Sequence, residues 1–300
     1  MLDDPVLEPA RRDAVIRTPR RRRHEAGAAA ALGRVSTVSV LVVLCVAMVA
    51  PLVWMVLTSL RPGNTVFDGP LIPSSVTGAA YRRAWQEISF GTHFLNSLGI
   101  TAVTVAVVVA LSAVAGYAFA KLRFRFRQVI FFGLLTTLMM PAPALIIPVF
   151  QMLRTLHLVD TRFGLVLVYV ATSLPFAVFL MRAFFSTLPD ELIDAARVDG
   201  AGELRLFWQV MLPLAWPGLA TVVIFQFLQT WNEFLFANTI IQTPENLPLQ
   251  PMLYSLVGQY STNWPVLTAA LTMSVVPIIA VYVRMQRRFV AGMTLGAVQH

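Results

Sequence analysis

The residues able to carry acid–base, nucleophilic or metal chemistry are few in this chain and lie apart. Its four histidines, His24, His93, His157 and His300, fall outside the long apolar runs, and no two have metal-ligand spacing. The one cysteine, Cys45, sits inside an apolar run, which excludes an internal disulfide and a cysteine-based metal site. The single lysine, Lys121, is followed by Leu122, where a P-loop requires Ser or Thr, so the chain cannot hold a standard ATP site. Within the apolar runs there is no histidine, aspartate or lysine, and one clear acid, Glu233. A carboxylate without a partner base or metal is poor equipment for catalysis. These residues suit transport rather than reaction, and the chain is expected to be no enzyme, with no cofactor of its own.

One compact charged segment stands out, DELIDAARVDGAGELRLFWQVMLP at residues 190–213, in which seven of 24 positions are Asp, Glu or Arg. It lies between the apolar runs GLVLVYVATSLPFAVFLM and GLATVVIFQFLQTW. Thr187 can cap a helix here, with Pro189, Asp190 and Glu191 in its first turn, Arg197 in its last and Gly200 as terminator. Leu192, Ile193 and Ala196 share one face, and Ala195 and Ala196 are small enough for another backbone to approach. A second short helix over 203–211 carries Leu204, Phe207 and Trp208 and stops at Leu212-Pro213. Two short helices at an angle suit insertion into a partner's groove, although the pattern alone fits an ordinary amphipathic surface loop equally well.

The elements that position these residues follow from composition. The chain is 57% hydrophobic and only 13% charged, against about 25% charged in a typical soluble domain. Six runs approach the roughly 20 residues needed to cross a bilayer. They cover 35–60, 94–120, 129–153, 164–185, 216–241 and 264–283. The expected fold is therefore all-α and integral to the membrane. Prolines 51, 141, 143, 148, 175 and 277 do not veto these spans, because neighbouring helices can satisfy freed backbone groups.

Orientation comes from the basic residues, 22 arginines and Lys121. Alternate compartments hold 18 of them on one side and five on the other, namely Arg61, Arg82, Arg83, Arg154 and Arg162. The positive-inside rule then places both termini and the charged segment in the cytoplasm. The net charge of +8 is thus topological and does not call for a nucleic-acid partner. The arginine bias, with abundant Ala and Val, fits a GC-rich bacterial genome, and a bacterial plasma membrane is the expected location. Residues 1–34 are expected to be an arginine-rich tail near acidic lipid headgroups, with 35–91 the first span and outer loop, 92–286 the main membrane domain and 287–300 a cytoplasmic tail. The first run is too long for a signal-peptide core and is expected to be a retained anchor.

The charged segment also resembles a known signature. Asp194-Ala195-Ala196, three residues, Gly200, nine residues, Val210, one residue and Leu212-Pro213 is similar in spacing throughout to the EAA motif of ABC importer permeases. Asp194 stands for the usual Glu and Val210 for the usual Ile. The resemblance implies a type I ABC importer permease fold, with 188–213 as the coupling loop that docks on a separate ATPase. Asp194, Ala195, Ala196, Asp199, Gly200, Leu212 and Pro213 are the docking candidates. Asn96-Ser97-Leu98, Trp231-Asn232-Glu233 and Phe289-Val290-Ala291-Gly292…Gly296-Ala297-Val298 resemble the maltose-type, carbohydrate branch, although Gln299-His300 departs from its usual ending. The likeness covers about 35–298. It implies a second, similar permease, two ABC ATPase subunits carrying ATP and Mg, and an extracytoplasmic solute-binding protein.

Gln226, Gln229, Thr230, Asn232 and Glu233 are read as one polar face of the fifth span, with Trp231 nearby for stacking on a sugar. That face either lines a solute path or bonds helix to helix, and the residues leave both open. A peptide, amino-acid or phosphate importer remains an alternative. An autonomous channel or secondary transporter would want an internal repeat and paired acids, and neither is visible.

Overall fold

Long apolar runs can satisfy their backbone groups in hydrocarbon only as helices or closed barrels, and every regular element described is helical. The structure, a computed structural model, describes residues 21–297 except 65, 67–69, 71 and 259–261, and side chains from 36 to 286 within those limits. The helices are α1 (Arg21–Ser59), α2 (Ala79–Gln86), α3 (Phe90–Lys121), α4 (Arg127–Thr136), α5 (Ala142–Thr155), α6 (Arg162–Thr187), α7 (Glu191–Val198), α8 (Glu203–Leu206), α9 (Leu212–Leu214), α10 (Trp216–Trp231), α11 (Leu235–Ile240), α12 (Leu249–Ser255) and α13 (Trp264–Ala297). A π turn over Phe207–Met211 joins α8 to α9.

Residues up to Trp54 form one unit and those from Met55 another. In the first, α1 begins at Arg21, so part of the expected tail is helix. The alanine-rich stretch 25–32 explains this, since alanine is the best helix former. Residues 1–20 and 298–300 of the expected tails lie outside the described residues.

In the second unit, α3 and α6 form the principal pair, and α10 packs on α3, α6 and α13. Gly116 permits the α3–α6 contact, because a Cβ there would stand 2.5 Å from the Cβ of Met181. Trp231 anchors the α10–α13 side of the core. Its ring stacks on Phe227 at 5.5 Å and meets Phe94 edge-on at 5.6 Å, and its indole N–H donates to the Ser274 carbonyl at 3.2 Å.

Among the described residues four helices are long and apolar enough to cross a membrane, or six elements if each of two bent pairs is one span. The expected third span is not straight. It bends by 104° between Arg127–Met139, which is α4 with the short 3-10 turn that follows it, and α5. Met140 has ψ 120°, the extended value favoured before a proline, so Pro141 ends one segment and starts the next. The expected fifth span also breaks. α10 ends at Trp231, residues 232–234 leave the helix, and α11 resumes at Leu235. At its other end α10 meets the preceding helical segment at 72°.

Candidate coupling surface and solute cavity

The charged segment folds as two short helices meeting at Gly200. α7 ends with Arg197 in its last turn, and Gly200 takes φ +78°, the left-handed value glycine adopts without strain. The amides of Gly200 and Ala201 donate to the carbonyls of Arg197 and Ala196, closing the helix end. Thr187 does not cap α7. It belongs to the last turn of α6, where its hydroxyl donates to the Phe184 carbonyl, and Asp190 holds the cap position. Pro213 is not a stop either, because α9 carries the helix to Leu214.

The segment divides into an inward and an outward face. Ile193, Leu206, Phe207 and Met211 are buried with Tyr117, Met181 and Phe185. Asp194, Ala195, Asp199, Gly200 and Pro213 are exposed, and Ala196 and Leu212 are half-buried. Four large apolar side chains also face outward, Val198 at 88%, Leu204 at 78%, Trp208 at 61% and, unlike its neighbour Ile193, Leu192 at 39% exposure. That is apolar surface of the kind a partner covers.

Polar contacts tie this loop to α3. Lys121, whose side chain is 7% exposed, donates to the Leu188 carbonyl at 2.7 Å and to Asp190 Oδ1 at 2.5 Å. Its ammonium holds the Asp190 carboxyl below the ordinary carboxylate range. The Tyr117 hydroxyl donates to Glu203 Oε2 at 3.0 Å, while Arg197 Nη2 donates to Glu203 Oε1 at 2.7 Å. Glu203 therefore links both short helices to the end of a long one. Lys121, Tyr117 and Glu203 escape sequence reasoning, because partners 67 to 86 residues apart share no local pattern. The available hint is that Lys121 is the one lysine among 22 arginines.

A cavity of about 360 Å³ opens between α6 and α10. Of the residues read as a polar face, Gln226, Gln229, Thr230 and Glu233 line it, and Trp231 and Asn232 do not. Trp231 is 1% exposed in the core, so its ring is not a stacking surface for solute. Asn232 terminates α10, with its amide donating to the Leu228 carbonyl at 2.8 Å. The opposite wall comes from α6 through Tyr169, Thr172, Ser173 and Phe176. Their spacing, i, i+3, i+4 and i+7, is the helical-face signal that could have found them.

The carboxylate of Glu233 is engaged by protein. Its oxygens accept from the Tyr169 hydroxyl at 2.5 Å, the Phe236 amide at 2.8 Å and the Ala237 amide at 3.1 Å. It thus caps α11 with a negative charge at a helix N-terminus. Gln226 donates both amide hydrogens, to Ser173 Oγ at 2.9 Å and Thr230 Oγ1 at 2.8 Å, which leaves its carbonyl as an acceptor. The rings of Phe176 and Phe225, 4.4 Å apart, add an aromatic wall. Acceptors beside aromatic faces match the hydroxyl-rich edges and apolar faces of carbohydrates.

Away from the cavity, buried Asn96 and Ser97 hold the loop between α11 and α12. Asn96 donates to the carbonyls of Glu245 and Leu247 at 2.8 and 3.1 Å, and Ser97 Oγ accepts from the Leu249 amide at 2.7 Å.

Comparison with known proteins extends these findings. The family described as "Binding-protein-dependent transport system inner membrane component" matches residues 109–295. The chain is 34% identical over 261 residues to the diacetylchitobiose uptake system permease protein NgcG of Streptomyces coelicolor, covering 86% of each. It is 36% identical over 251 residues to the trehalose transport system permease protein SugB of Mycobacterium tuberculosis, covering 83% of this chain and 92% of that one. Among solved structures it is similar to a chain of a bacterial ABC transporter involved in the import of the acidic polysaccharide alginate. There the TM-score is 0.76 and the identity 28%, over 86% of this chain and 96% of the other.

Proposed function

The chain belongs to the inner membrane components of binding-protein-dependent transport systems, and on that premise we propose that it is the permease subunit of an ATP-driven sugar importer. The observation that carries this reading is the pairing of a coupling loop with a carbohydrate-compatible cavity on one helical scaffold. α6 runs into the loop at Leu188 and lines the cavity through Tyr169 and Ser173. A displacement of α7 and α8 therefore reaches the cavity wall through continuous helix. The printed functions of the relatives, diacetylchitobiose uptake and trehalose transport, support a saccharide as solute.

In this reading the chain crosses the membrane six times, with α4–α5 as the third span and α10–α11 as the fifth, the coupling loop outside the bilayer and both termini cytoplasmic. The arginine asymmetry of 18 to five supports that orientation. Asp194, Ala195, Ala196, Asp199 and Gly200, with Val198 and Leu204 beside them, dock a separate ATPase subunit that holds ATP and Mg. Leu212 and Pro213 position the second helix. Gln226, Gln229 and Glu233 form part of the solute path, and a second permease supplies the other half. Two ATPase subunits and an extracytoplasmic binding protein complete the transporter, which works by alternating access. The test is uptake of labelled saccharides by cells lacking this chain. Complementation should restore ATP-dependent uptake of at least one saccharide, and restored uptake of a peptide or phosphate instead would replace the sugar assignment.

A further inference from the structure

Arginine and apolar residues alternate through the turn between α3 and α4, as Leu122, Arg123, Phe124, Arg125, Phe126 and Arg127. Phe124 is 41% exposed and Phe126 61%, and Val129, Ile130 and Phe132 at the start of α4 extend the same exposed apolar surface. Arg127 Nη1 donates to the Leu122 carbonyl at 3.0 Å, which fixes the turn, and the Arg125 guanidinium lies 5.0 Å over the Phe126 ring. Arg123, Arg125 and Arg127 take part in none of the salt bridges among the described residues. The nearby acids Asp190 and Glu203 are already paired with Lys121 and Arg197, and Asp194, which shares a polar groove with Arg123 and Arg127, forms no salt bridge with either. Arg123, Phe124, Phe126, Arg127 and Gln128 enclose a shallow hollow of about 420 Å³.

This turn sits at the end of α3, a 32-residue apolar helix, on the side that carries the coupling loop. These guanidinium groups form no salt bridge, although Arg123 also helps to lower the Asp190 carboxyl, and they stand beside exposed aromatic rings at the end of a membrane-length helix, which matches one ligand on both counts. Guanidinium binds phosphate oxygens bidentately, and the exposed rings accept acyl chains. We propose that the α3–α4 turn is a binding site for an anionic phospholipid, with the headgroup phosphate between Arg123 and Arg127 and the acyl chains against Phe124 and Phe126. The site stands independently of the sugar assignment.

The test uses the full-length chain purified in detergent and titrated with phosphatidylglycerol or with phosphatidylcholine of the same acyl chains, with retained lipid counted by native mass spectrometry. Wild type should retain phosphatidylglycerol preferentially. R123Q/R125Q/R127Q should lose at least about fivefold of that preference, the effect expected near an anionic surface for even one lost arginine. R83Q, which removes a charge elsewhere, should leave the preference unchanged, and F124S/F126S should weaken retention of both lipids. Equal retention of phosphatidylglycerol by wild type and the triple variant would overturn the site, as would a wild type indifferent to headgroup charge. Complete displacement by millimolar inorganic phosphate would reassign it to a free anion. If the triple variant loses its ATPase partner while its lipid retention is unchanged, the surface belongs to a protein instead.

Discussion

Replacing Gly200 by valine should reduce solute-stimulated ATP hydrolysis and uptake together while leaving the membrane helices folded. The structure separates two ways such a change could act. A Cβ built at Gly200 meets nothing within 4 Å, so the side chain has room within this chain. The backbone, at φ +78°, lies in the left-handed region. That conformation costs an L-residue roughly 1–2 kcal/mol, and a β-branched residue is a marked outlier there. If docking requires the observed turn, its population falls about five- to thirtyfold relative to distorted alternatives. Solute-stimulated ATPase activity of the reconstituted transporter should drop by a similar factor, with unchanged amounts of permease in the membrane. Asparagine tolerates the left-handed conformation, so Gly200→Asn should retain much more activity than Gly200→Val. If Asn and Val fail alike, bulk against the partner matters and not backbone strain. Wild-type stimulation in Gly200→Val would refute the role given to this turn.

Three further perturbations follow from the same geometry. Lys121→Met removes the cation that holds Leu188 and Asp190, and should lower solute-stimulated ATPase while basal hydrolysis by the ATPase subunits persists; equal stimulation would show that the tether is dispensable. Because Asp190 titrates below its ordinary value of 3.8 in the folded state, the Lys121–Asp190 contribution is complete above that value and lost as pH falls through the depressed one. Stimulation should therefore show no Lys121-dependent change between about pH 5.5 and 8, and a Lys121-dependent step in that range would contradict the pairing. Glu233→Gln places a donor where three donors already converge, at a cost of about 1–3 kcal/mol; both thermal stability and uptake should fall, and loss of uptake at unchanged stability would favour direct solute contact over the capping role. Gly116→Ala should destabilise the α3–α6 pair by about 1–3 kcal/mol through overpacking, read as a lower unfolding midpoint in detergent, and an unchanged midpoint would mean that the helices part at little cost.

The charged loop was legible because its information is local. Helix spacing, a terminal arginine and a glycine at a left-handed position all lie within 24 residues. What holds it was not legible, since Lys121 and Tyr117 reach it only after α3 and α6 have packed. In the fifth span, chemistry competes with periodicity, and periodicity misleads. Asn232 and Glu233 continue a polar helical face on paper, yet Asn232 ends α10 and Glu233 starts α11, roles that short polar side chains and anions take by bonding backbone groups. Trp231 looked available for stacking because it adjoins these polar residues. Only the tertiary arrangement places its ring against Phe227 and Phe94. The α4–α5 bend was visible as Pro141 and Pro143, but proline inside a span leaves the degree of bending open, and Pro175 and Pro277 lie within continuous helices.

The coupling claim is tested most directly by cysteine cross-linking in the assembled transporter, with Cys45, the chain's one cysteine, replaced by alanine. Val198→Cys places a thiol on the exposed end of α7, and Val76→Cys places one on the loop between α1 and α2; these residues are 88% and 68% exposed. A maleimide–benzophenone reagent, attached to the thiol and then photoactivated so that it needs no thiol on the partner, should join Val198→Cys to the ATPase subunit and leave Val76→Cys unjoined, and a membrane-impermeant thiol reagent applied from outside should label only Val76→Cys. Cross-linking of the ATPase at Val76→Cys, or outside labelling of Val198→Cys, would contradict both the orientation and the coupling role assigned to the loop.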